Sequence, residues 1–220
     1  MLRYGEWKGR RLAPWFLSPF LSLFMVGLAL GETYTTNIRY QPCREFPLLR
    51  QKIGSILGIA PFKDDRPDKP YVGHQTAFRA VFGRQSFQTS DYFRSEPFPL
   101  EKAISDSLSE AVSRFGVKTV PLPNWDREPE SLKNIAADSI LRIEIKSFWT
   151  EGIAAVRGTK EIASIYLRIQ LGVKKEKKFF TRNVYARKES TLTRMTSAEV
   201  EQILNPMLTE ILDDFFSNPY

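Results

Sequence analysis

Residues able to do chemistry crowd into one short stretch. Ile56 to His74, ILGIAPFKDDRPDKPYVGH, sets Asp64, Asp65 and Asp68 among Lys63, Arg66 and Lys69 and ends on the chain's single histidine. Grouped carboxylates can gather a hard cation through oxygen ligands, and a histidine within reach of a substrate proton can act as a general base. Each chemistry lacks the rest of its apparatus here. The spacing omits the glycine and distal glutamate of a calcium loop, and the interleaved basic residues neutralise the acids. The stretch therefore reads as a turn in which Asp caps backbone amides and Pro fixes φ. His74 has no GxSxG elbow to serve, so an extracytoplasmic hydrolase centred on His74 is kept only as the alternative function. One histidine and one cysteine, Cys43, supply no zinc set and no intramolecular disulfide. Gly54 and Gly58 lie inside an apolar strand pattern instead of opening a helix, which removes a phosphate loop. No catalytic residue, cofactor or metal is expected.

A binding surface is the better candidate. After the acidic stretch, Tyr71, Phe78, Phe82, Phe87, Tyr92 and Phe93 alternate with Arg79, Arg84 and Arg94, and aromatics with arginine are what protein interfaces enrich. The same rings could close a second small core over the sheet, and the sequence leaves that alternative open. These residues fall in an irregular insert at about 63–96, with one hairpin across Gly83, TAFRAVF then SFQTSDYF.

The flanking elements have to hold that insert. YTTNIRYQP, Tyr34 to Pro42, has strand-forming residues, and KIGSILGIAPF, Lys52 to Phe62, reads as an apolar strand covered on both faces. PLEKAISDSLSEAVSRFG repeats apolar residues at three- and four-residue steps, predicting a helix over 99–115 capped by Gly116. VKTVP is a short strand and PESLKNIAAD a brief helix. Three strands follow: SILRIEIKSFW, with Leu141, Ile143 and Ile145 opposed to Arg142, Glu144 and Lys146; SIYLRIQLGVK; and FFTRNVYARKES after the KKEKK turn. The last helix, about 197–216, opens on Thr196 with Glu199 three residues on. It carries nine apolar side chains on a broad stripe, with Pro206 inside it and a kink expected near Asn205. The fold class is α+β: a mixed, largely antiparallel sheet with the two main helices packed on one face, as a single domain over 32–220.

Location is written at the N-terminus. Four basic residues precede the uncharged run Ala13 to Gly31, which ends Ala29-Leu30-Gly31, the small-residue pattern of a secretory signal cleaved between Gly31 and Glu32. Nineteen uncharged residues also suffice for an uncleaved anchor, and either reading exports the remainder. Cys43 follows Tyr40-Gln41-Pro42 at a distance from the apolar run, so it does not sit in a lipid-attachment motif. Four basic residues and one acid precede residue 32, so the formal charge of +7 falls to +4 for the exported part, too mild for nucleic-acid binding.

The strand and its exit, ILGIAPFKDDRPDKPYVG, together with PLEKAISDSLSEAVSRFGVKTVP and ADSILRIEIKSFW, resemble the compact α/β module of the TolB N-terminal domain, CsgG and the YajG-like envelope lipoproteins, over roughly Lys52 to Asn218. Asp65-Arg66-Pro67 followed by Val72-Gly73 is the part most similar to the YajG-like proteins. The resemblance implies a non-enzymatic protein of the bacterial envelope, in the periplasm or facing it from a membrane. Its expected partner is another envelope protein or a membrane-associated component, with self-association left open.

Overall fold

The computed structural model describes residues 31–219 apart from 82–84, 124, 126–128 and 156–157, with the backbone alone described for 77–81, 85–88 and 129–130. The expected signal segment up to Leu30 lies outside the described residues. In chain order the elements are β1 (Thr33–Thr36), α1 (Leu49–Ile53), β2 (Ile56–Ile59), β3 (Lys63–Asp64), β4 (Tyr71–Val81), β5 (Gln85–Ser95), α2 (Leu100–Arg114) and β6 (Lys118–Pro121). After a 3-10 turn at Pro129–Lys133 come β7 (Ser139–Ala155), β8 (Gly158–Val173), β9 (Lys178–Leu192) and α3 (Ser197–Ser217). No helix among the described residues is long and apolar enough to cross a membrane.

Strand β7 is the spine. It pairs with β8 from end to end, while β2, β3 and β4 dock on it parallel and in succession at Leu141, Ile145 and Gly152 respectively. The expected mixed, largely antiparallel sheet is present: the long ladders β4–β5, β7–β8 and β8–β9 are antiparallel, and the short ones are parallel. Leu141, Ile143 and Ile145 are wholly buried against the helices, as their period-two spacing requires. A bulge between Ile145 and Ser147 then inserts Lys146, so Phe148, three residues on, also faces the core.

The nine apolar residues expected on α3 are all buried, and with Leu100, Ile104, Leu108 and Val112 of α2 they join one core cluster with the inner face of the sheet. Burial at about 1.5–3 kcal/mol each exceeds the roughly 3 kcal/mol that a mid-helix proline costs, and α3 runs unbroken through Pro206. The Thr196 hydroxyl accepts from the Glu199 amide, which is half of the expected capping box. Gly116, at φ 75°, ends α2 with Val117 N–H bonded back to the Val112 carbonyl. A smaller cluster of Ala60, Leu132 and Ile140, covered by Trp125 and Phe179, closes the opposite face at one end.

Three expectations change. Lys52 and Ile53 belong to α1, and the strand starts at Ile56, where the Asp138 carboxylate accepts from the amides of Ser55 and Ile56. These backbone hydrogen bonds, the Ile56 one foremost, hold Asp138 below the usual carboxylate range despite its partial burial. The insert is regular: β4 and β5 form a hairpin of eleven residues on each side, with a bulge between Tyr71 and Gly73.

The third change concerns the expected strand at Tyr34 to Pro42, which stays in the sheet only as far as Thr36. Beyond it the chain lies along α3. The backbone N–H groups of Asn37, Arg39, Gln41 and Cys43 donate in turn to the side chains of Glu201, Asn205, Thr209 and Asp213. Two extended residues advance about 6.6–6.8 Å and four helical residues about 6.0 Å, so every second amide meets every fourth side chain. Ile38 and Tyr40 fill the core between these contacts, and the Tyr40 hydroxyl donates to buried Asp213 at 2.8 Å. Burial first, and that bond second, push the Tyr40 phenol far above its ordinary pKa.

Candidate functional site

The acidic stretch folds inward. Asp64 and Arg66 are both buried and meet in a bidentate pair, Nε to Oδ1 at 2.9 Å and Nη2 to Oδ2 at 2.8 Å. The remaining guanidinium nitrogen, Nη1, donates to the carbonyls of Tyr71 and Phe148 at 2.6 and 3.0 Å. Arg66 thereby ties the exit of β3, the start of β4 and the bulged part of β7 at a single point. A guanidinium presents a planar fork that suits such a role, with its charge paired and four of its five N–H groups bonded.

Asp65 points the other way. It accepts from Lys146 at 2.6 Å and pairs with Lys63 at 2.7 Å, and these hydrogen bonds hold its carboxyl at a pKa of about 2. Lys146 also reaches Glu144 at 3.0 Å, with Arg142 and Arg168 at 3.8 and 4.0 Å. Burial pushes Glu144 up, but the bond from Lys146 and the nearby guanidinium groups outweigh it and hold the carboxyl below its usual range. The expected wet face of β7 is thus a half-buried ion network. Asp64 and Asp65 diverge, and among the described residues no group of three or more His, Cys, Asp and Glu is placed to hold a metal ion.

The base of the hairpin carries a set of packed rings, Tyr92 exposed and Tyr71, His74 and Trp149 half-buried. The Tyr71 and Tyr92 centroids are 4.8 Å apart; His74 lies 6.1 Å from Tyr92 and 5.5 Å from Trp149 of β7. All four sit on the helix-free side of the sheet, because His74 is in register with Tyr92 and Glu151 while its neighbours Gly73 and Gln75 turn inward. The row continues across the sheet, where Tyr166 of β8 pairs with Tyr185 of β9, 63% exposed. His74 Nε2 is 3.8 Å from a half-exposed Glu151 carboxylate, and among the described residues no hydroxyl or thiol is hydrogen-bonded to it.

Of the nine residues expected to bind a partner, Tyr71, Tyr92 and Arg94 come together on this face, Arg94 lying 3.7 Å from Glu96. Phe93 does not. Alternation along β5 turns it inward, where it is wholly buried and stacked on Tyr34 at 5.7 Å, so it is a core residue. The backbones of Phe78, Arg79 and Phe87 lie in the distal half of the hairpin, with Arg79 in register with Phe87. Phe82 and Arg84 lie outside the described residues. Sequence reasoning missed His74, Trp149 and Tyr185 as members of the same face, since the bulge at Lys146 breaks the period that would have placed Trp149.

At the expected cleavage position, the Glu32 amide donates to Asp91 Oδ1 at 3.0 Å. Asp91 is buried and also accepts from Gln75. Gly31 packs so closely that a Cβ there would fall 1.7 Å from the Ser90 carbonyl oxygen.

Fold and site together define a mixed α/β domain with one helix-covered sheet face and one face bearing an aromatic row and an ion network. No family model matches the chain, and no curated protein matches its sequence. The fold is shared with protein XCC0632 from Xanthomonas campestris, described with the family model DUF330: 18% identity, TM-score 0.52, covering 85% of this chain and 93% of that one. Lower likenesses are a lipoprotein, GNA1162, from Neisseria meningitidis (12% identity, TM-score 0.36, 72% and 99% covered) and a neuraminyllactose-binding hemagglutinin homolog from Helicobacter pylori (11%, 0.41, 84% and 89%). The likeness to the Xanthomonas protein is one of fold alone.

Proposed function

We propose that this protein is a non-enzymatic binding module of the bacterial envelope, of the YajG-like kind, exported by its N-terminal segment and contacting an envelope partner through the hairpin. The observation that carries the reading is the set Tyr71, Tyr92, His74 and Trp149, packed together at the hairpin base on the helix-free face, with Tyr92 exposed and the other three half-buried. Rigid rings offer large contact area at low entropy cost, which is what an interface anchor requires. Against the hydrolase alternative, His74 packs between rings and has a half-exposed carboxylate at 3.8 Å, and among the described residues no hydroxyl or thiol is hydrogen-bonded to it. Cleavage before Glu32 would leave an ammonium group within hydrogen-bonding distance of buried Asp91, a favourable place for a new chain end.

The test is affinity capture from solubilised envelopes. Removing all of Pro70–Ser95 would strip Val72 and Phe93 from the core, so the variant replaces only 78–87 with a two-residue turn and keeps the base. A second variant, Tyr92→Ser with Trp149→Ser, removes anchors from the platform. Loss of the same captured protein in both variants supports the reading. An unchanged capture profile, or hydrolase activity abolished by His74→Ala, overturns it.

A further inference from the structure

Strand β9 ends the sheet, and among the described residues nothing pairs with its outer edge over fifteen residues; the other outermost strands, β1 and β6, have four each. Beside that edge, between β9 and α3, runs a groove of about 550 Å³. Val184 and Ala186 pack on the main core from the strand side, and Met207 and Ile211 line the groove from the helix side, so its floor is apolar. Arg182 and Lys188 stand at its two ends on the same face of β9, separated from the apolar pair by one two-residue step each. Lys188 makes no hydrogen bond or ion pair among the described residues, and Arg182 donates one bond, to the Asn218 carbonyl.

A bare strand edge invites pairing with any extended chain, and basic side chains along it forbid most of them. A second copy is a poor occupant: antiparallel self-pairing centred on Tyr185 would set Arg182 opposite Lys188, like charges at the distance where cross-strand pairs interact. The same two charges favour a strand of opposite sign. On the helix wall Asp214 is engaged by Arg44 at 2.7 Å and Glu210 is the one further acid lining the groove, so the strand, which carries Lys178, Arg182, Arg187 and Lys188 against Glu189, leaves the charge that an added strand meets basic at the two ends.

We propose that the β9 edge accepts an extended segment of a partner protein by strand addition, with the pattern acid-x-apolar-x-apolar-x-acid: apolar side chains over Val184 and Ala186, and acids opposite Arg182 and Lys188. Main-chain hydrogen bonds hold such a segment, and its alternate side chains provide specificity. The site lies on β9 and α3, not on the hairpin, so it stands or falls separately from the platform.

The test uses the full chain with two synthetic peptides, TETVTVTET and its charge-reversed form TKTVTVTKT, followed by fluorescence anisotropy and by amide hydrogen exchange of β9. The acidic peptide should bind, weaken with salt and slow exchange between Lys178 and Leu192. Lys188→Glu should lower its affinity by about tenfold and raise that of the basic peptide. Circular dichroism checks that the variant keeps its fold. Equal affinity of the two peptides, exchange unchanged along β9, concentration-dependent dimerisation through β9, or binding to anionic vesicles in place of the peptide would overturn the proposal.

Discussion

Two regions joined by four residues of chain use their side chains in opposite ways. Asp64 and Arg66 look like an acidic catalytic motif and are buried, fully paired and hydrogen-bonded to two strands. Tyr71, His74 and Tyr92, rings that the fold could have closed into its core, gather instead on the helix-free face of the sheet. Charge buried with its acceptors matched serves as a joint in the fold, whereas rings packed on one another at the surface, with no helix over them, leave a face that the core does not use. The candidate site is therefore found by asking which groups the fold leaves unused.

That contrast can be broken most severely at the joint. Arg66→Ala should cost about 3–5 kcal/mol in urea unfolding, because it strands a buried carboxylate and two carbonyls, while Asp64→Val combined with Arg66→Met should cost clearly less. An equal loss in both would show that the guanidinium fork is not what joins β3, β4 and β7. Asp213→Ala removes the acceptor of the Tyr40 hydroxyl and the Cys43 amide and should cost about 1–3 kcal/mol, with faster exchange of the amides at 37–43. For Asp65, the folded pKa of about 2 lies below the ordinary 3.8, so its contribution is present above about pH 4 and is lost as pH falls toward 2. Acid titration of stability should flatten over that window in Asp65→Asn. The smallest effect belongs to the platform: Tyr92→Ser should change stability by no more than about 0.5–1 kcal/mol while reducing partner capture, and a large stability loss would assign Tyr92 to the core.

Periodicity made the main elements legible. The stripes on α2 and α3 and the alternation of Leu141, Ile143 and Ile145 point to the faces that the structure buries. Features created by tertiary pairing were not legible in the same way. Nothing local distinguishes Lys52 and Ile53 in α1 from a strand, since a short apolar run fits either. The bulge at Lys146 lies in the ladder between β7 and β8, distant in sequence, and it shifts Phe148 and Trp149 out of the phase the sequence suggests. Glu201, Asn205, Thr209 and Asp213 recur at four-residue spacing, but their role as acceptors depends on residues more than 160 positions away. At the site, the aromatic content of the insert was legible and its sorting was not: only the register of β4 and β5 separates Tyr92 from Phe93.

The run of bonds between residues 37–43 and α3 has a mechanical side. Its donors are spaced along a line parallel to the helix, so once β1 has left β5 a pull at Asn37 directed along that line loads four hydrogen bonds together, in shear, with the rings of Tyr40 and Phe216 packed 6.3 Å apart behind them. A pull at right angles would open them one at a time from Asn37. Behind β1, the segment 37–43 thus resists tension in one direction and yields in another.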